Sequence, residues 1–142
     1  MLDATPDPRI AFFDELAPRW DRDGQSPSET VERVSGLADH LAIKPGHDVL
    51  EVGCGTGQLT GWLASQAMPG KVVAVDFSPA MIAEARAKGI PAEFREADVC
   101  RDDLGTNCFD VVLCFHSFPH FRDQRAALQN LARAMKPGGW LM

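Results

Sequence analysis

Gly53, Gly55 and Gly57 fall directly after the apolar run Val49–Val52 and directly before a helical stretch, Leu59 to Met68. Backbone without Cβ atoms at the exit of a strand can turn tightly and let a ligand approach closely. The next apolar run, Lys71 to Val75, leads to Asp76, 19 residues beyond Gly57. An acid at the tip of the second strand is placed to accept hydrogen bonds from both ribose hydroxyls of a nucleoside. Strand, glycine turn, helix, strand and acid in that order restrict the chain to βαβ units and a parallel sheet.

The remaining pattern extends that reading. Asp7 to Trp20 is expected as a helix with Ile10, Phe13 and Leu16 three residues apart, and Pro18 ends or kinks it. Asp21 to Ser28 reads as a polar loop. Ser28 caps a helix over Glu29 to Ala42, with Val31, Val34, Leu37, Ala38 and Leu41 on one stripe. After a turn at Lys44-Pro45-Gly46, strands are expected at Asp48 to Val52, Lys71 to Val75, Pro91 to Arg95 and Phe109 to Phe115. Helices are expected at Leu59 to Met68, Pro79 to Lys88 and Asp123 to Met135, the last with Ala127, Leu128, Leu131 and Met135 inward. Pro137-Gly138-Gly139 turns the chain into a fifth strand opening at Trp140 to Met142. The fold class is α/β, a Rossmann-like parallel sheet flanked by helices. The 142 residues suit a single domain, divided into an N-terminal helical cap, 1–45, and a ligand-binding α/β core, 46–142.

Charge and cysteines narrow the function. A formal net charge of -6 opposes a nucleic-acid footprint, which needs a basic face. No apolar run approaches the roughly 20 residues that span a bilayer. The N-terminal residues are acidic where a secretory signal is basic, so a cytoplasmic location is expected. Cys54, Cys100, Cys108 and Cys114 form no close pair, which argues against a disulfide framework and against a bound metal. The partner expected is a small molecule.

Two nucleoside ligands compete. A dinucleotide turn reads G-x-G-x-x-G. Here Gln58 holds the sixth place, and the third glycine comes one residue early. Glu51, two residues before Gly53, is an awkward charge beside a pyrophosphate, whereas a cationic ligand without phosphates tolerates it.

At these residues the chain resembles the class I S-adenosylmethionine-dependent methyltransferases. Glu51-Val52-Gly53-Cys54-Gly55-Thr56-Gly57 is similar to the family's first motif, and Asp76-Phe77-Ser78-Pro79-Ala80-Met81 to its second. Ala97-Asp98-Val99 resembles the third, Phe109 to Val112 the fourth strand, and Leu131 to Gly139 the approach to the fifth. The resemblance is closest to the small-molecule group that includes menaquinone and ubiquinone C-methyltransferases. It implies methyl transfer from S-adenosylmethionine, with S-adenosylhomocysteine as product, to a small-molecule acceptor. It also implies Asp76 on the ribose, Phe77 and Met81 near the adenine, the Asp98 carboxylate accepting from the adenine amino group, and the Val99 amide donating to the ring. Gly53, Cys54, Gly55 and Gly57 form the cofactor turn, with Cys54 read as a small residue filling it. Phe115 joins the cofactor contacts. Glu51 either orients the turn or faces the methionine amino group, and Met81 is equally readable as core.

His116 and His120 follow the fourth strand and are the candidates for acid–base catalysis, imidazole being suited to proton transfer near neutral pH. Many relatives have a histidine where this chain has Pro119, a departure that weakens the carry-over to His120. Phe12, Phe13 and Trp20 are expected either as a lid or as simple packing. The family sheet has the order 3-2-1-4-5-7-6, so strands six and seven are expected to be missing. The fourth strand is then expected near an exposed edge, with self-association through the strand-four and strand-five edge. The alternative function is a cofactor-binding module, or a shortened domain, without turnover of its own.

Overall fold

Valine-rich runs build the centre of the sheet. In the computed structural model, which describes residues 7–142, β1 (Val49–Val52), β2 (Val72–Asp76), β3 (Glu93–Glu96), β4 (Phe109–Leu113) and β5 (Met135–Leu141) form one parallel sheet in the order β3-β2-β1-β4-β5. Every residue of β1 and β2 is buried, as expected of parallel strands covered on both faces. β3, at one edge, buries only Phe94.

Side chains alternate along each strand and so sort into two cores. Val49, Val72, Val111 and Leu113 pack with Leu63 and Ala67 of α4 (Thr60–Ala67) and with Val34 of α3 (Pro27–Ser35). Leu50, Val52, Val73, Val75 and Val112 pack with Ala127, Leu131 and Ala134 of α6 (Gln124–Ala134). α5 (Pro79–Ala87) packs Ile82 and Ala85 against Ala74 and Phe94. Glu51 alternates with apolar neighbours and is carried into the interior with them.

The N-terminal segment comprises α1 (Pro8–Leu16), a 3-10 turn at Ala17–Arg19, α2 (Trp20–Asp23) and α3. Its first six residues, which belong to the expected cap and to the acidic N-terminus, lie outside the described ones. Several expectations are corrected here. Asp21 to Asp23 are helical rather than loop, because α2 continues from the preceding turn. α3 starts at Pro27, not Glu29, since Ser26 and Glu29 form a reciprocal capping box. It ends at Ser35, and Ala38–His40 continue only as a 3-10 turn, leaving Leu37 exposed. On α6, Leu128 faces out, while Asn130 and Ala134 join the buried side.

β4 pairs on both sides, with β1 and with β5, so the exposed edge belongs to β5 and not to the fourth strand. β5 also begins earlier than expected, at Met135. Phe109 pairs with Met135, and Val111 with Trp140, so Lys136–Gly139 bulge out opposite Asp110. The expected turn at Pro137–Gly139 is that bulge, with Gly138 at φ 79°. Lys136 anchors it by ion pairs to Asp110 and Asp48, at 3.0 and 3.4 Å. No helix among the described residues is long and apolar enough to cross a membrane.

Candidate functional site

Beyond the carboxyl ends of β1, β2 and β4 lies a cavity of about 350 Å³, the place where open α/β sheets bind ligands. Its floor is the glycine turn. Gly53, at φ 72°, leaves no room for a side chain: a Cβ there would lie 2.3 Å from the Ser117 Cβ. Ser117 is buried and its hydroxyl donates to the Val52 carbonyl at 2.7 Å, stitching the β1 tip to the loop after β4. Gly53→Ala is therefore expected to destabilise the chain by about 2–5 kcal/mol, combining overpacking with left-handed strain. Urea unfolding reads the loss, and adding Ser117→Gly is expected to recover the part due to the clash.

Glu51, Gly53, Cys54, Gly55, Asp76, Phe77, Met81, Asp98, Val99, Phe115, His116 and His120 all border the cavity. Gly57 does not. A Cβ on it would meet Ala85, Ile90 and Phe94 at 3.2–3.4 Å, so this glycine lets the turn lie close on α5 and β3 instead of facing a ligand.

Asp76 is the hub. Its Oδ2 accepts from the Gly55 amide and its Oδ1 from the Ser78 amide, both at 2.9 Å. Burial raises its pKa despite these amides and that of Phe77, and Asp14 adds to the rise. Glu51, 4% exposed, has one hydrogen-bond partner among the described residues, the Thr60 hydroxyl, which donates at 2.7 Å. Burial pushes its carboxyl up to about 8 against the lowering by Thr60, and the neighbouring Asp76 reinforces the rise. At neutral pH Glu51 is mainly protonated. Burial also pushes the Cys54 thiol far up, with Glu51 and Asp76 adding to the effect, so it is no nucleophile.

One side wall is the loop after β3. The Asp98 Oδ1 accepts from the Cys100 amide at 2.9 Å, and its Oδ2 lies 3.6 Å from the Arg101 Nε. Asn130 fixes this loop from α6, its amide donating to the carbonyls of Val99 and Asp102 at 3.0 and 2.6 Å. The opposite wall follows β4. Phe115 and His116 stack with ring centroids 4.1 Å apart, and His116 takes a left-handed φ of 57°. His120 is exposed and meets the edge of Phe13.

The N-terminal helices form the roof. Phe13 contacts Phe77 and Trp20 with centroids 5.6 and 6.0 Å apart, while Phe12 points out and is 59% exposed. The Arg9 guanidinium lies 5.5 Å over the Phe77 ring, pairs with Asp7, and donates to the His120 carbonyl. Asp14 accepts from the Ser78 hydroxyl and the Ala80 amide at the start of α5. Asp21 accepts from the Thr56 hydroxyl and the Gln58 amide at 2.6 and 2.8 Å. Sequence reasoning missed Arg9, Asp14, Asp21, Gln58, Ser117 and Asn130. Asn130 carried a visible signal, a polar residue inside the apolar stripe of α6, and Gln58 stood out only as the side chain in place of a glycine.

Residues 49–139 match the family described as Methyltransferase domain. The chain is 35% identical over 137 residues to the demethylmenaquinone methyltransferase of Thermus thermophilus, covering 92% of this chain and 62% of that protein. It is 32% identical over 149 residues to the ubiquinone biosynthesis O-methyltransferase of Paracidovorax citrulli, covering 97% and 61%. The chain thus spans about three fifths of the length of these curated relatives. A solved structure described as the DhpI-SAM-HEP complex superposes with a TM-score of 0.78 at 27% identity, over 94% of this chain and 62% of that one.

Proposed function

The chain belongs to the methyltransferase-domain family, and from that premise we propose that its cavity binds S-adenosylmethionine and directs methyl transfer to a small-molecule acceptor. The observation that carries this reading is the pairing of Asp76, hydrogen-bonded to the glycine turn, with the buried Glu51 beside the same turn. This pair of carboxyls suits a ligand that carries ribose hydroxyls and a cationic group able to draw off the Glu51 proton, and it offers no positive charge to a pyrophosphate. The only Arg or Lys side chains bordering the cavity among the described residues are Arg9 and Arg122, on the roof and the far loop. The volume lies within the range of small-molecule sites.

In this reading Asp76 receives the ribose hydroxyls, and Gly53, Cys54 and Gly55 offer backbone without bulk. Phe77, Met81, Asp98 and Val99 border the nucleobase, Glu51 meets the amino group of the methionine part, and Phe115 closes that side. The cofactor supplies a methyl group on a positively charged sulfur that leaves readily. The chain's own residues then have to orient the acceptor and exclude water, work that can lower a barrier by about 7–11 kcal/mol. Phe13, Phe115, Phe121 and the two imidazoles make a flat-sided space suited to a ring-shaped acceptor. His116 and His120 border that space and are assigned to take a proton where the acceptor must lose one. The helices between Pro8 and Ser35 serve as a lid over the core. The β5 edge, with Trp140 and Leu141 exposed, is assigned to pairing with a second copy, and light scattering over a dilution series reads it.

Thermal unfolding with S-adenosylhomocysteine, S-adenosylmethionine and NAD tests the cofactor assignment. A ligand at 100 times its dissociation constant stabilises the fold by about 2.7 kcal/mol. A shift with both sulfur nucleosides and none with NAD is expected; a shift with NAD alone rejects the proposal. Transfer of labelled methyl to a panel of hydroxylated aromatic acceptors tests turnover.

A further inference from the structure

Gln58 leaves the glycine turn just before α4, at the place where a dinucleotide turn carries glycine. Its carboxamide is committed away from its own element. The Oε1 accepts from the Thr30 hydroxyl at 2.6 Å. The Nε2 donates to the Asp21 Oδ1 at 2.8 Å and to the Gln25 carbonyl at 2.7 Å. All three partners lie on the roof, Asp21 on α2, Thr30 on α3 and Gln25 in the link between them, and are 28 to 37 residues distant in sequence. Trp20, Gln25, Thr30 and Gln58 border the cavity on that side.

The chemistry of the partners calls for an amide. Burial pushes the Asp21 pKa up, but the contacts from Lys88, Thr56 and Gln58 outweigh it and hold the carboxyl below its ordinary value. Asp21 is therefore an ionised acceptor, and so is the Gln25 carbonyl an acceptor, so the residue at 58 must donate twice. The Thr30 hydroxyl, buried, has Gln58 as its acceptor. Glutamine meets all three demands at once and glutamate does not. The knot extends outward, because Asp21 Oδ2 pairs with the Lys88 Nζ at 2.8 Å.

We infer that Gln58 is a positioning residue that latches the roof to the ligand-facing turn and thereby sets how long a nucleoside cofactor stays bound. This rests on reading the cavity as a cofactor site. Leaving the cavity past Trp20 and Thr30 requires the roof to lift, and lifting it breaks these bonds, one of them to a charged group. Entry by the same path meets the same bonds, so a weaker latch speeds association as well as dissociation, and the time a ligand stays bound follows the second.

Two measurements on the whole chain separate the latch from the site. Hydrogen exchange of the unliganded protein reads the roof directly. Gln58→Ala is expected to speed exchange over residues 20–35 and leave the amides of β1 and β2 at parent rates. Stopped-flow displacement of S-adenosylhomocysteine is expected to show dissociation faster by about tenfold or more, with association faster as well. Gln58→Glu is expected to behave alike, and pairing it with Asp21→Asn to recover at most the bond between residues 21 and 58, because the Gln25 carbonyl still faces an acceptor. Thr30→Val removes one bond and is expected to give an intermediate rate. Parent-like exchange and dissociation in Gln58→Ala overturns the latch. A parent chain that fails to bind S-adenosylhomocysteine overturns the cofactor reading instead, while the exchange data still decide whether Gln58 holds the roof.

Discussion

Asp76→Ala is expected to weaken S-adenosylhomocysteine binding by at least about a hundredfold. Two ribose hydroxyls donating to one carboxylate form charge-assisted bonds worth about 1.5–3 kcal/mol each, and every 1.4 kcal/mol is about tenfold. The substitution has a second effect, because the carboxylate also receives the amides of Gly55 and Ser78. Orphaning each buried amide costs about 1–3 kcal/mol, partly offset by removing a carboxylate whose burial is itself unfavourable. Calorimetry reads the affinity and urea unfolding the stability. Asp76→Asn is the companion variant. It keeps one acceptor oxygen and is expected to retain more stability than affinity. Undiminished binding by Asp76→Ala would remove Asp76 from the ribose.

Glu51 gives the second large effect, and it appears as pH dependence. Its carboxyl is raised from 4.5 to about 8 in the folded chain. Between those values the folded chain holds a proton that the unfolded chain has released. Stability of the empty protein therefore falls as pH rises through that window, by up to about 1.4 kcal/mol per unit, and levels off above about 8. Glu51→Gln, which is neutral throughout, is expected to flatten the slope, leaving at the acid end the share due to Asp76, which is raised in the same sense. A cationic ligand favours the ionised carboxylate, so binding near pH 7 is expected to release up to about one proton and to tighten as pH rises toward 8. Calorimetry in two buffers of different ionisation enthalpy counts that proton. Buffer-independent heats in the parent, or an unchanged count in Glu51→Gln, would mean that Glu51 does not meet the charge of the ligand.

The sheet was legible because its evidence is local. Val72–Val75 is a continuous apolar run and Val49–Val52 is interrupted only by Glu51, and parallel strands covered on both faces have that composition. The floor of the cavity was legible for the same reason, since one strand, one turn and the next strand tip lie within thirty residues. The roof was not. Asp14, Asp21 and Gln58 act across 28 to 66 residues, and a surface carboxylate that reaches a distant helix start has the same sequence appearance as a solvated one. Helix limits failed where capping decided them. The sequence reading puts the cap at Ser28, whereas the reciprocal bonds with Glu29 put it at Ser26. Gly57 failed for a related reason: its place in a tight turn was visible, but not which neighbour presses on it.

The bulge at Lys136–Gly139 divides the strand pair into a part that can vary and a part that keeps its place. It lies at the start of β4, opposite Asp110, while the residues that border the cavity follow the far end of that strand. Beyond it the pairing resumes at Val111 with Trp140 and continues at Val112 with Leu141. A residue gained or lost within the bulge is taken up before that point, like slack ahead of a clamp. Over evolutionary time the chain can therefore change length between α6 and the outer strand without shifting the register that carries Phe115, His116 and Ser117 to the acceptor side. Chemistry and loop length are free to drift separately.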